Sequence, residues 1–238
     1  MNVGFVSLFP EHIAPWASSS IIGKAVLKGL LHVEYRNPRD FTYDRHNKVD
    51  DAPFGGEPGM LIKAEPVALA IESLSYSEAT IILTDPAGPP FTQTVAQDLA
   101  QRPALVFLCG HYEGIDDRVA EAFCAERYSI GDYILTSGEL AAMVMADAIA
   151  RNLNHVLGDP KSLSADSHSN GLLSAPNYTT PDVWRGLAIP EVLKTGHHIK
   201  IEAWRREQAL RITRQHRPDL LATANLTQKD LEILSELD

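Results

Sequence analysis

Apolar residues are distributed along the first two thirds of the chain in two rhythms that alternate. Short, unbroken apolar runs at Asn2–Phe9, Thr80–Leu83 and Leu105–Cys109 have the length expected of buried strands. Leu31–Tyr35 and Arg127–Ile130 read as two shorter ones. Between them lie stretches with helical spacing: Ser20–Leu30, opened by a serine cap, then Glu65–Leu74, Thr92–Gln101 and Asp116–Phe123. A last helix runs from 138 to about Leu153, with Thr136 and Glu139 spaced as a capping box. Leu140, Met143 and Val144 mark its apolar stripe, and Asp147 and Arg151 continue that stripe at helical spacing.

Strands alternating with helices define an α/β domain over residues 1–158. Residues 159–170, DPKSLSADSHSN, are polar and serine-rich and read as a flexible linker. Beyond them no strand is expected. Pro190–Lys194, His197–His216 and Thr227–Leu237 read as helices, so residues 171–238 form a small all-α domain.

Candidate chemistry gathers where strands end. Gly110 stops the run Leu105–Cys109, and Glu113-Gly114 follow within four residues. Thr84-Asp85-Pro86-Ala87-Gly88 and Gly131-Asp132-Tyr133-Ile134-Leu135 are two more glycine-bearing loops placed directly after strands. Glycine there lets main chain approach a ligand, and ligands collect at the carboxyl edge of such sheets. Neither dinucleotide nor triphosphate glycine motif is present, so the loops suit a flat heterocycle such as adenine, or are simply turns. A fourth segment, Asn37–Met60, is polar, rich in Gly and Pro, and too long for a mere connection. It reads as a binding loop or a lid.

Composition narrows the field. With 45% hydrophobic and 22% charged residues the chain is an ordinary globular protein, and no apolar stretch reaches the roughly 20 residues of a membrane span. The first residues lack the basic region of a signal peptide, and Cys109 and Cys124 have no metal-ligand spacing, so a cytosolic protein with reduced thiols is expected. Histidines 46, 111, 155, 168, 197 and 198 form no zinc pattern, and no serine-hydrolase elbow occurs. The net charge of −10 argues against a polyanion partner. Residues 185–217 argue the other way locally, with eight Lys/Arg against three Asp/Glu, and Arg205, Arg206, Arg211 and Arg214 are the candidate contacts. Spacing alone gives Arg151 an i,i+4 pair with Asp147, and leaves Asp166 a solvated linker residue.

Taken in order, FGGEPGM (54–60), LCGHYEGIDDR (108–118), SIGDYILTSGEL (129–140), DAIAR (147–151), GLL (171–173) and GHH…WRR (196–206) resemble the bacterial tRNA (guanine-N1)-methyltransferase family over nearly the whole chain. The resemblance implies a SPOUT-type α/β domain with a parallel sheet and a trefoil knot, a flexible linker and a helical tRNA-binding domain. It implies S-adenosylmethionine held by Leu83 and Pro86, by Gly110, Tyr112, Glu113 and Gly114, and by Ile130, Gly131, Tyr133, Leu135 and Gly138. It further implies a cytoplasmic homodimer with its active site between subunits. Asp166 would be the general base toward guanine at position 37 of tRNA, Arg151 the guanine-facing cation, and Glu113 the candidate ligand for Mg²⁺. The chain differs from the family's usual residues at Glu57, His111, Ser137, Ala141 and Ser174. The alternatives are another knotted RNA methyltransferase with a different target base and, from a different class, a cofactor- and RNA-binding protein without turnover.

Overall fold

A computed structural model describes residues 1–158 and 166–236. The chain divides into two compact units, Met1–Gly158 and Asp159–Asp238. The first runs β1 (Asn2–Val6), α1 (Ala14–Ala17), α2 (Ser20–Leu27), β2 (His32–Arg36), β3 (Asp50–Asp51), β4 (Leu61–Ile62), α3 (Ala64–Glu72), β5 (Ala79–Thr84), α4 (Gln93–Leu99), β6 (Ala104–Leu108), α5 (Asp117–Ala122), β7 (Glu126–Tyr128) and α6 (Glu139–Ala150). Five of the strands form one parallel sheet in the order β2-β1-β6-β5-β7.

β6 lies at the centre with every residue buried, which is why its sequence is an unbroken apolar run rather than an alternation. Its side chains still alternate between faces. Leu105 and Phe107 pack with Phe5, Ile82, Met145 and Ile149 on one side, and Val106 and Leu108 with Val67, Ile71 and Ile81 on the other. Phe107 is the register partner of Phe5, and their rings stack at 5.4 Å between centroids.

Two local expectations fail in this unit. Ser20 does not cap α2, which begins after Ser19 with no side-chain cap. The stripe expected on α6 is turned: Leu140 and Val144 are exposed, and Ala141, Ala142, Met145, Ala146 and Ile149 face the core. Three alanines let the helix lie close to the sheet, whereas hydrophobicity weighted by size had pointed to the larger side chains. The segment 37–60 is partly folded, with a 3₁₀ turn at Pro38–Phe41 and β3 paired antiparallel to β4.

The second unit is not all-α. β8 (Val183–Trp184) and β9 (Leu187–Ala188) form an antiparallel hairpin. Its two turn residues, Arg185 and Gly186, both take left-handed φ values of +51° and +80°, the geometry of a two-residue hairpin. Strands of two residues are too short to show a period, so the pattern could not announce them. A 3₁₀ turn at Glu191–Lys194, α7 (His198–His216), α8 (Pro218–Leu221) and α9 (Gln228–Ser235) complete the unit. Of the expected linker 159–170, residues 159–165 lie outside the described residues. Residues 166–170 belong to a turn in which His168 N donates to Leu172 O at 2.8 Å. Among the described residues, no helix is long and apolar enough to cross a membrane.

Candidate functional site

β6, β5 and β7 are neighbours in the sheet, so their carboxyl ends deliver three loops to one edge. Together these loops wall a cavity of about 260 Å³. The first gives Pro86 with Thr84 and Asp85, and the second gives Gly110, Tyr112, Glu113 and Gly114. The third is longer than the sequence suggested, running from Tyr128 to Gly138, and it brings Ile130, Gly131, Tyr133, Leu135 and Gly138. Ten of the eleven residues expected around the cofactor therefore share one wall system. Leu83 does not: it is 7% exposed, sits inside β5 and packs into the core cluster that includes Val106 and Leu108.

The loops are stitched together mainly by backbone. Gly138 N donates to Gly110 O at 2.8 Å, and Asp85 N donates to Tyr128 O at 3.1 Å. A Cβ on Gly138 would stand 2.8 Å from Gly110 N and 2.9 Å from Cys109 Cα, so only glycine allows this approach. Arg127 ties the first loop to α5, pairing with Asp85 at 2.6 Å and also with Asp117. The long segment reaches the second loop as well. Glu113 N donates to Met60 O, Ile62 N donates to Gly114 O, and Gly59 (φ +108°) leaves room for the Glu113 side chain, which a Cβ would meet at 2.6 Å.

Beneath the third loop lies a pair the sequence did not suggest. Glu139 is the first residue of α6, is 1% exposed, and accepts a 2.5 Å hydrogen bond from the hydroxyl of Ser7 at the end of β1. Ser7 Oγ accepts in turn from Phe9 N, and Glu139 Oε2 is buried without a hydrogen-bond partner. The capping box expected at Thr136 and Glu139 does not form. Gly138 is the N-cap, and the carboxylate is spent on a strand 132 residues away. Burial, reinforced by the Glu139 charge, raises the Cys109 thiol pKa well above its usual value, so this cysteine stays a neutral core residue.

The two residues expected to do chemistry belong to different units. Arg151 is the half-buried C-cap of α6 in the first unit, and Asp147 accepts from Trp16 Nε1 at 3.2 Å. Asp166 is in the second unit, where it lines an open cleft of about 560 Å³ with Asn170, Ser174, Asn177, Glu202 and Arg205. The four arginines expected to meet a polyanion separate into two kinds. Arg206 grips the buried Asp230 through two nitrogens at 2.9–3.0 Å, Arg214 donates to Leu234 O, and Arg211 pairs with Glu207. Arg205 is exposed and lines the cleft, whose wall Arg206 shares. Among the described residues, no group of three His, Cys, Asp or Glu stands together as a metal site, and Glu113 is an exposed carboxylate.

Glycine-bearing loops around a cavity at the carboxyl edge of a parallel sheet define an α/β protein with a small-ligand site of the kind such edges carry, and the second unit has its own cleft lined by acidic and basic residues. Comparison with known proteins narrows that class. Residues 1–223 match the family described as tRNA (Guanine-1)-methyltransferase TrmD. The chain is 45% identical over its full length to a tRNA (guanine-N(1)-)-methyltransferase of Dehalococcoides mccartyi, covering 97% of that protein. It is 49% identical to one of Deinococcus deserti (88% covered) and 47% identical to one of Pelotomaculum thermopropionicum (96% covered). The chain belongs to this tRNA (guanine-1)-methyltransferase family.

Proposed function

We propose that this protein transfers a methyl group from S-adenosylmethionine to N-1 of guanine at position 37 of tRNA, in the cytoplasm. The observation that carries the reading is the convergence of the three loops on one cavity at the carboxyl edge of the sheet, with the loops joined to one another by backbone hydrogen bonds. Loop backbone of this kind suits adenine, whose edges exchange hydrogen bonds with N–H and C=O groups, and the close approach at Gly138 holds the third loop against the second where a Cβ would collide with Gly110 and Cys109. When bound, the sulfonium supplies an electrophilic methyl carbon.

The chain's own groups then have distinct tasks. Guanine N-1 is a poor nucleophile while protonated, so Asp166 takes the N-1 proton onto its carboxylate. The freed lone pair forms the N–C bond as the C–S bond breaks, its electrons passing to sulfur. Negative charge spreads toward O-6, where the Arg151 guanidinium stabilises it. The cavity loops supply alignment. In this reading the first unit carries the trefoil knot of the family and binds the donor, and the second unit binds tRNA. Glu113 is the candidate Mg²⁺ ligand in this reading, and among the described residues no group of three His, Cys, Asp or Glu stands with it.

A second copy of the chain completes the site in this proposal. Ile134 is 81% exposed, and Tyr133, Leu140 and Val144 are each more than half exposed, an apolar surface in the third loop and on α6 that suits burial against an identical subunit. Radiolabelled methyl incorporation tests the activity: a transcript with guanine at positions 36 and 37 is expected to be labelled, and one with adenine at 37 is not. Asp166→Ala is expected to slow transfer by about 10²–10⁴-fold with donor binding intact. Binding of donor and tRNA without any transfer would instead favour a binding protein that has no turnover.

A further inference from the structure

The turn that bears Asp166 is bolted to α7 by a buried threonine. Thr213 is fully buried, and its Oγ1 accepts from Leu173 N at 2.9 Å while donating to Ala209 O at 2.7 Å. Donation to a carbonyl four residues back is ordinary for threonine in a helix. Acceptance from a backbone amide 40 residues away is not, and it lands on the return arm of the Asp166 turn. That turn is cross-linked beside Asp166 itself. Ser174 N donates to Ser167 Oγ at 2.9 Å, the two serine hydroxyls share a hydrogen bond at 2.8 Å, and Ser169 N donates to Asp166 O at 3.3 Å. Leu172, next to Leu173 on that arm, and Leu210, on α7, are both buried. Asp166 and Ser174 then line the same cleft as Arg205.

We propose that Thr213, acting through Leu173 N and the Ser167–Ser174 hydroxyl pair, is a positioning residue for the Asp166 carboxylate. The inference rests on the general-base reading of Asp166. A base must come within about 2.6–3.2 Å of the proton it removes, and a displacement of about 1 Å can cost about 10²-fold in rate. The α7 joint supplies that precision from a rigid helix to a residue that sits on a turn.

Single-turnover methyl transfer in Thr213→Val and Thr213→Ser, across a range of pH, tests this in the full-length protein with tRNA. Valine keeps the volume and removes the hydroxyl, whereas serine keeps the hydroxyl. Thr213→Val is expected to lower the rate by about 10–100-fold with donor affinity unchanged, and Thr213→Ser to restore most of it. The deficit is expected to shrink at alkaline pH, where solvent removes the guanine N-1 proton and the placement of the base matters less. Ser174→Ala, which leaves the buried joint in place, is expected to lose about 3–10-fold with the same alkaline recovery, and it carries the test should the valine variant fold poorly. A deficit equal in the serine and valine variants, or one that persists unchanged at alkaline pH, overturns the proposal. Asp166→Asn separates the two readings. If it remains active, the general-base assignment falls; if it is inactive while Thr213→Val and Ser174→Ala transfer normally, only the positioning role falls.

Discussion

The two units of the chain are stabilised in different ways. In the first, apolar side chains pack on both faces of the parallel sheet around the fully buried β6. In the second, Leu172 and Leu210 are the buried hydrophobic residues among those described, joined by two buried polar ones, Thr213 and Asp230, each of which is hydrogen-bonded. The charge differs as well: the first unit has twenty Asp/Glu against eleven Lys/Arg, and the second has eleven against ten. The second unit carries little net negative charge and many arginines, as the proposed tRNA-binding role asks, and uses some of those arginines as internal fasteners. The contrast is between a scaffold held by apolar area, which pH barely touches, and a module held by directional, charge-assisted bonds, which respond to it.

The largest expected effect comes from removing a fastener. Asp230 has a side chain only 4% exposed, accepts from Arg206 at two oxygens, and also receives Thr227 N and Thr227 Oγ1 at the start of α9. Arg206→Ala strands that carboxylate. Breaking a buried pair by removing one partner costs about 3–5 kcal/mol, and the partial exposure of Arg206 reduces this to about 2–3 kcal/mol. Hydrogen exchange is expected to show protection lost in α7 and α9 and unchanged in β6. Equal loss in both units would erase the contrast, and an unaltered α9 would show that the staple is idle.

A smaller effect, on ligand affinity, is expected from Gly138→Ala in the first unit. The added methyl would press on Gly110 N and Cys109 Cα, both main chain inside the stitched loops. Overpacking of this kind costs about 1–3 kcal/mol, or about 5–150-fold in affinity for S-adenosylmethionine. Titration calorimetry reads it directly. Exchange in α7 and α9 is expected to stay as it was, because the strain is confined to the sheet edge.

What the sequence displayed follows the same division. The α/β order of the first unit was legible because strands buried on both faces are written as apolar runs, and the glycines that end them are visible. Ten of the eleven cofactor residues that the resemblance implied line the cavity and lie together because β6, β5 and β7 are adjacent, an order that no local pattern encodes. Glu139 was misread because a glutamate after Thr136 matches a capping box, and its partner Ser7 is 132 residues away. The face of α6 was misread because its core side is built of alanine. In the second unit the directional bonds were invisible: Arg206 and Arg214 look like surface cations, and nothing in their neighbours announces Asp230 or the Leu234 carbonyl.

The gentlest probe of the contrast is acid. The Arg206 guanidinium, followed by the Thr227 bonds, holds the Asp230 carboxyl well below its ordinary value in the folded protein. A carboxyl with a depressed folded pKa binds its proton more readily when the chain is unfolded. Its stabilisation is therefore complete above the unfolded value of about 3.9 and drains away as pH falls from there toward the folded pKa. Between pH 7 and pH 5 the second unit is expected to keep its α9 protection as far as this carboxyl governs it. Below about pH 4 that protection is expected to decline, by an amount corresponding to about 4–8 °C in melting temperature for each kcal/mol lost. In Arg206→Ala the slope should flatten, because without the guanidinium the folded and unfolded values converge. An acid slope as steep in the variant as in the parent would assign the response to other carboxylates and leave the Arg206–Asp230 pair a purely geometric joint.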